Sequence, residues 1–378
     1  MGVLLTYLAG SSASVLENIL VEKEQVASAV YCSTDSRPDT VIQFVLSSVE
    51  ADKLLEVHKR FFEVVNQAAN TELDMNYMLD CIRRQRRVLK ASAEASASFF
   101  TDQIITDFLF GARDGSNLRT LASLREYDIL ETWNDAQWRP FLKRWISEAH
   151  HVTILGKPSA KLSKKLKAEE KTRVAKQKRR LGKEGLKGKE KKLAQAIAEN
   201  EREIPKEIFE RFKVPGTSSI HFIDTTTARS GIARKMGPLD NPIQKLLDND
   251  NMDLPLFIHF EHIQSNFVHI NLFVGTGSIP AKLMPLLPIY LENFFNTPIL
   301  RDGQTVAFEK VIVELEKDTV GYTIESGSSF GNPEILRIHF QVEIEKYGTA
   351  IRWLRTMLWD NIFDITVTIL SYPRVLTI

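Results

Sequence analysis

The sequence predicts an α+β protein: two related α/β sandwich-like units joined by a basic helical hairpin. Three observations predict it. First, a helix–strand–strand–helix order over residues 4–67 recurs at an offset of roughly 295 residues, the mark of an internal duplication. Second, charge is segregated. Between Lys157 and Lys213 there are 20 Lys+Arg and 9 Asp+Glu, a net of +11, while the rest of the chain carries 29 and 39, a net of −10. Third, 378 residues with 43% hydrophobic and 26% charged side chains can bury a large core without a disulfide or metal staple.

The first unit opens with an amphipathic helix over residues 4–23, read in preference to a signal peptide because no basic segment precedes it. A strand over 26–33 and a second over 40–46 follow, separated by a turn at Ser36-Arg37-Pro38; apolar residues alternate as in half-buried sheets. Ser47-Ser48-Val49-Glu50 has capping-box spacing. The next helix is expected to place Leu54, Leu55, Phe61, Phe62 and Val65 on one face. Residues 73–110 read as largely helical, residues 135–148 as a further helix, and HHVTILG as a closing strand.

The basic segment is rich in helix formers, with a thin apolar stripe of Leu162, Leu166, Val174 and Leu181. Three glycines in GKEGLKGK (182–189) break the helix, and a second arm with Leu193 and Ile197 on one face runs to Pro205. The hairpin admits three roles: a solvated interdomain connector, a nucleic-acid contact surface, or a docking surface for the acidic bodies of the same protein or a polypeptide partner. No aromatic lies between Lys157 and Glu207, so stacking on bases is not available there.

In the second unit SSIHFID reads as a strand, and LPLFIHFEHI and NFVHINLFVGTG as a hairpin turning at Gln264-Ser265. Pro280 suits the first turn of a helix that Pro285 and Pro288 would kink or shorten. Then come helix VAFEKVIVELEKD, strands TVGYTIES and EILRIHFQVEI, and helix YGTAIRWLRTMLWD.

Catalytic signatures are missing from this pattern. HFEH at 259–262 is one residue short of H-x-x-E-H, and in a strand His259 and Glu261 share a face while His262 points away. His150, His151, His221 and His269 read as sheet or surface histidines. The sequence has no G-x-S-x-G, P-loop or G-x-G-x-x-G, and GTG at 275–277 is a strand-end turn. The two cysteines, Cys32 and Cys81, fit neither a disulfide framework nor thiolate zinc spacing and lie beside no basic partner in sequence. No apolar run reaches 18 residues, so no membrane span is predicted.

Several segments resemble a known family: LLTYLAGSSASVLENILVE, RRQRRVLKASAE, HVTILGKPSAKLSKKLKAEEK, HFEHIQSNFVHINLFVGTGSIPAKLMPLLPIYLE, FEKVIVELEKDTVGYTIESG and HFQVEIEKYGTAIRWL. They look like the pitrilysin/insulin-degrading-enzyme class of zinc metallopeptidases (inverted zincins), in the branch of presequence protease and its fungal cytosolic relatives. The resemblance implies four related α+β domains in two halves, joined by a helical hairpin and enclosing a chamber for unfolded peptides. On that basis residues 1–156 match the second domain, 157–215 the linker and 216–378 a truncated third domain. The family's H-x-x-E-H zinc site belongs to the first domain, and its substrate-gripping arginine and tyrosine to the fourth. No catalytic, cofactor-binding or metal residue is therefore carried over, and this chain alone is expected to be inactive.

The resemblance implies the non-catalytic middle portion of a zinc metalloendopeptidase, forming chamber wall and hinge. The alternative is a stand-alone inactive homologue acting as a binding or assembly protein. Zinc is expected in the full-length family enzyme only. The expected partners are unfolded peptides, through that enzyme, and the remaining peptidase domains; neither a membrane nor a nucleic acid is expected. The expected compartment is the cytoplasm, with the mitochondrion as alternative. If the third domain is cut after its helix near Trp353, Trp353, Leu354, Met357, Leu358, Trp359, Ile362 and Phe363, with Ile369, Leu370 and Tyr372 of the tail, should form an uncovered apolar patch.

Overall fold

In the computed structural model the fold is α+β. It describes residues 1–35, 41–96, 98–112, 114–116, 118, 123–211, 216–219, 222–249, 254–327, 331–332 and 334–363. The turn expected at Ser36-Arg37-Pro38 and the tail residues Ile369, Leu370 and Tyr372 lie outside these residues. The chain divides into two compact units, one of Met1–Leu155 with Ser265–Ile378 and one of Gly156–Gln264.

The predicted first helix is broken in two. Helix α1 (Gly2–Ala9) buries Val3, Leu4, Leu5, Tyr7 and Leu8, then stops at Gly10. A turn follows in which Ser14 Oγ donates to the Ser11 carbonyl (2.5 Å) and Asn18 Nδ2 to that of Ser12 (3.2 Å). The chain resumes as α2 (Val15–Glu17) and a π-helical stretch, Asn18–Lys23. Short side chains that bond neighbouring backbone favour a turn over a continuous helix. Strands β1 (Ala29–Asp35) and β2 (Val41–Ser47) pair antiparallel, and Glu17 Oε1 accepts from the Val30 amide at 2.8 Å, tying helix to strand. Ser47 is part of that ladder and Ser48 has φ 56°, so the expected capping box does not form. Helix α3 (Leu54–Asn70) starts later and buries Val57, Phe61, Val64, Val65, Ala68 and Ala69. Leu55, expected on that face, is 72% exposed.

Helix α4 (Met75–Ala95) is capped by Asp74, whose Oδ1 accepts from the amides of Asn76 and Tyr77, both at 3.0 Å. Helices α5 (Ser98–Phe110), α6 (Ser123–Leu130) and α7 (Asp135–Leu142) follow, the last running on as a π-helical turn over Lys143–Ser147. HHVTILG forms no strand: Val152 and Ile154 stand out in solvent, with no partner strand among the described residues. A lone strand has no ladder to close its hydrogen bonds.

The longest element of the second unit is α8 (Ala160–Asn200), two helical arms meeting at Gly182, which has φ 59° and ψ −173°. Backbone of that kind is essentially restricted to glycine. Gly185 and Gly188, expected to share the break, lie inside helix instead. After α9 (Lys206–Arg211) no strand appears among the described residues of SSIHFID: Thr217–Ser219 is a 3-10 turn and residues 222–225 are irregular, while Ile220 and His221 lie outside the described residues. The strand is instead β3 (Thr226–Gly231), followed by α10 (Pro242–Asn249) and β4 (Phe257–His262) antiparallel to β3. At Gly231, φ 55°, a Cβ would lie 2.1 Å from the Leu256 carbonyl oxygen, so only glycine fits that approach.

Back in the first unit, β5 (Phe267–Gly275) pairs not with β4 but with β9 (Ile335–Glu343), in a sheet of order β5-β9-β8. Between them lie α11 (Leu287–Asn293), the hairpin β6 (Ile299–Arg301)–β7 (Gln304–Val306), α12 (Phe308–Asp318) and β8 (Gly321–Ser326). Pro288 in its first turn accompanies the shortening of α11. Helix α13 (Tyr347–Trp359) buries Ala350, Trp353 and Met357 and half-buries Leu354 and Leu358, so this part of the expected patch is largely covered, while Trp359, 72% exposed, and Ile362 stay out among the described residues.

The duplication is visible in the starts of matching elements: Ala29 to Gly321, Val41 to Ile335 and Leu54 to Tyr347 are 292, 294 and 293 residues apart. Each repeat has its own apolar cluster. One is centred on α1, α3, α4 and α7; the other joins Phe294, Ile299, Val311, Leu315, Phe340 and Trp353.

The break at Gly182 yields a prediction. Gly182→Ala should let helix run through, because alanine is the best helix former and cannot hold the observed backbone. Spin labels at Lys171 and Lys192 should then move apart towards about 30 Å, the length of 21 residues of continuous helix. An unchanged distance distribution would contradict this.

Candidate functional site

Strand geometry decides the first candidate. His259 and Glu261 share a face of β4, with His259 Nε2 2.7 Å from Glu261 Oε1; Thr227 Oγ1 on β3 donates to the same oxygen at 2.8 Å. These bonds hold the Glu261 carboxyl below the usual carboxylate range, Thr227 contributing most and His259 next. His262 points the other way and pairs in register with Thr226. Among the described residues no group of three His, Cys, Asp or Glu could hold a metal.

A second histidine pair could not be read locally. On the polar face of the three-stranded sheet, His269 Nδ1 of β5 lies 3.3 Å from His339 Nε2 of β9, with rings nearly parallel. Arg337 and Glu325 form an ion pair beside them. At the start of β5, Glu94 of α4 accepts from Ser265 Oγ and from Asn266 Nδ2 (2.9 Å). Burial holds His339 below the ordinary histidine range, reinforced by His269 and Arg337 and opposed by Glu325.

The third candidate is a polar cleft of about 320 Å³ in the first unit, lined by Gly10, Ser11, Ser12, Arg84, Asn296 and Glu316 among others. Arg84 of α4 reaches Glu316 of α12, Nη1 to Oε1 at 2.5 Å, and Arg87 Nη2 donates to the Glu316 carbonyl at 2.6 Å. Glu316 is only 6% exposed. Burial pushes its carboxyl up, and Arg84 pulls the other way. Cys81 lies close enough for its thiol to be pushed up to about 12, by burial first and by Glu316 second. Burial also raises the Tyr77 and Tyr322 hydroxyls. At neutral pH these three groups are protonated, and the Arg84 guanidinium faces the Glu316 carboxyl while Arg87 donates to the backbone of the same residue. None of these three groups is an activated nucleophile.

The remaining sequence candidates stay apart. Cys32 is half-buried with its thiol pushed up by burial, far in sequence from Cys81, and both cysteines are free. His151 packs on Phe62, ring centres 4.2 Å apart. Lys176, Lys178, Arg179 and Arg180 lie exposed on α8. Two ion pairs form along that helix, Lys165–Glu169 at 3.6 Å and Arg173–Glu170 at 2.5 Å. Its other cations have no carboxylate partner among the described residues.

The chain is similar to three longer proteins. It is 30% identical over 371 residues to the uncharacterized protein C3H1.02c of Schizosaccharomyces pombe, covering 95% of this chain and 35% of that protein. It is 26% identical to the uncharacterized protein YOL098C of Saccharomyces cerevisiae, covering 96% and 36%, respectively. Over 96% of its length it is 23% identical to the uncharacterized protein C05D11.1 of Caenorhabditis elegans, covering 36% of that protein. The chain thus spans about a third of the length of these relatives. No protein-family model matches it. Among the described residues no helix is long and apolar enough to cross a membrane.

Two predictions come from the polar contacts. Removing one partner of a buried ion pair strands the other charge, so Arg84→Met should cost about 3 kcal/mol of stability. The double variant R84M/E316L should recover most of that loss, the coupling appearing in a denaturant double-mutant cycle. Additive losses would mean that the pair is not coupled.

For His339, whose folded value lies below the ordinary 6.5, the fold favours the neutral ring. Its contribution to stability is complete above pH 6.5 and is lost as pH falls through that value towards the lowered one. The urea midpoint should drop between pH 7.5 and 5.5, and His339→Gln should flatten part of that slope. An identical slope in the variant would refute the assignment.

Proposed function

We propose that this chain is the non-catalytic middle portion of a pitrilysin-like zinc metalloendopeptidase that degrades unfolded peptides, where it forms chamber wall and hinge. The observation that carries this is the spread of family-like segments over nearly the whole chain. LLTYLAGSSASVLENILVE lies on the first α+β repeat, HVTILGKPSAKLSKKLKAEEK enters the arm, and FEKVIVELEKDTVGYTIESG lies on the second repeat. The duplicated unit on either side of a polar helical linker supports the same architecture. The length of the relatives, about three times the matched stretch, is compatible with further domains.

The residues present do not fit the zinc of such an enzyme. The chain has no H-x-x-E-H, and HFEH lies on a strand that separates its two histidines onto opposite faces. Hydrolysis is therefore assigned to polypeptide outside this chain. What the chain supplies is support: a double α+β unit and an exposed helical arm interrupted at Gly182. In the cell the assignment favours a cytoplasmic enzyme, with the mitochondrion as alternative.

Purified chain mixed with unfolded peptides and zinc should leave the peptides intact. Chelator-sensitive cleavage by the chain alone would overturn the proposal. An in-frame H-x-x-E-H in coding sequence upstream of Met1 is the expected companion finding.

A further inference from the structure

The two repeats differ by one strand, and the difference falls at one edge. In the first repeat β1 and β2 form a two-stranded sheet; in the second, β8 and β9 are joined by β5 on the far side of β9. The pairs common to both have the same register. Val30 opposite Leu46 and Cys32 opposite Phe44 match Tyr322 opposite Phe340 and Ile324 opposite Ile338. Each set packs on the apolar cluster of its own repeat. Ile42, Phe44 and Leu46 of β2 therefore stand where Leu336, Ile338 and Phe340 stand in β9.

Their cover is not the same. Leu336, Ile338 and Phe340 are 8%, 3% and 0% exposed, and lie opposite Val274, Leu272 and Ile270 of β5. Ile42, Phe44 and Leu46 are only half-buried. The backbone divides likewise. The Ser28 amide donates to the Ser47 carbonyl at 2.9 Å, so Ser47 bonds towards β1, and by alternation the amides of Ile42, Phe44 and Leu46 point out of the opposite edge. The matching edge of β9 is the one β5 occupies, with the Thr276 amide donating to the Glu334 carbonyl at 2.8 Å. Among the described residues no strand pairs with that edge of β2. Unpaired amides and carbonyls along a half-apolar strand are a template for another strand. The duplication also says where that strand comes from. In the second repeat β5 precedes α12, β8, β9 and α13, and the spacing of 292 to 294 residues between the repeats carries Phe267–Gly275 to positions before Met1.

We propose that the outer edge of β2 takes up an antiparallel strand from polypeptide N-terminal to Met1 in the same longer protein, with alternate apolar residues opposite Ile42, Phe44 and Leu46. The strand has the pattern of β5, whose Ile270 and Leu272 pack on the second cluster. This rests on the reading of the chain as part of a longer protein and names the contact that completes its first repeat.

The test follows hydrogen exchange at the amides of Ile42, Phe44 and Leu46, in the 378-residue chain and in a chain extended by the upstream coding sequence. In the shorter chain they should exchange quickly, while those of Leu336, Ile338 and Phe340 are protected. In the extended chain, exchange at the three β2 amides should slow by about tenfold or more. Two prolines placed in the added strand should restore fast exchange, since proline donates nothing to a ladder. Unchanged exchange in the extended chain overturns the proposal, as does absence of upstream coding sequence. Slow exchange at these amides in the shorter chain overturns it too: if independent of concentration, another segment of this chain covers the edge; if it rises with concentration, a second copy does. The peptidase assignment stands or falls separately. Protection of the edge without zinc-dependent hydrolysis by the complete protein sinks that assignment and leaves the strand intact. Hydrolysis without protection does the reverse.

Discussion

The contact on which the first unit depends is the buried pair of Arg84 and Glu316. The two repeats have separate apolar clusters, and much of what joins them is polar: Arg84 and Arg87 on Glu316, Ser12 on Asn296 and Glu94 on Ser265 and Asn266. Apolar surfaces attract without direction, so two greasy faces alone would tolerate sliding. A carboxylate that is only 6% exposed does not, because any shift strands its charge. Register between the repeats is thereby set by a few directional bonds. The same burial keeps Cys81, Tyr77 and Tyr322 protonated, leaving a chemically quiet junction.

Elements with one buried face were legible in the sequence. In β9, Leu336, Ile338, Phe340 and Val342 are buried while Arg337, His339 and Gln341 alternate with them, and α12 and α13 each carry one apolar stripe. Such patterns fix which side of an element is buried, but not which strand lies next to it. Hence β5 was legible as a strand, whereas its partner was not: the nearby β4 was expected, and the distant β9 pairs with it. Strand β3, TTARSG, lacks alternation altogether and exists because β4 and the close approach at Gly231 hold it. The opposite error occurs at Val152 and Ile154, which alternate like a strand yet have no neighbour.

Site geometry divides the same way. The period of two places His259 and Glu261 on one face, and the structure has them 2.7 Å apart. The pair His269–His339 spans 70 residues and Arg84–Glu316 spans 232, separations over which no local spacing carries information. Glycine chemistry was legible in kind but not in place. Of the three glycines in GKEGLKGK only Gly182 adopts positive φ, while Gly185 and Gly188 stay helical at a cost of about 1 kcal/mol each relative to alanine.

Apolar content alone misjudged where the surface is open. Helices α13 and α5 both look greasy in sequence, yet among the described residues one is packed and the other largely exposed. In α13 the apolar residues at 350, 353 and 357 recur on one side, so packing against one neighbouring layer is enough to bury them. In α5 they occur on all sides, and burying one side leaves the other exposed. A single flanking helix cannot cover a helix of that kind; two facing surfaces are required. The disposition of apolar residues around a helix, rather than their number, therefore decides whether this chain can bury the helix by itself.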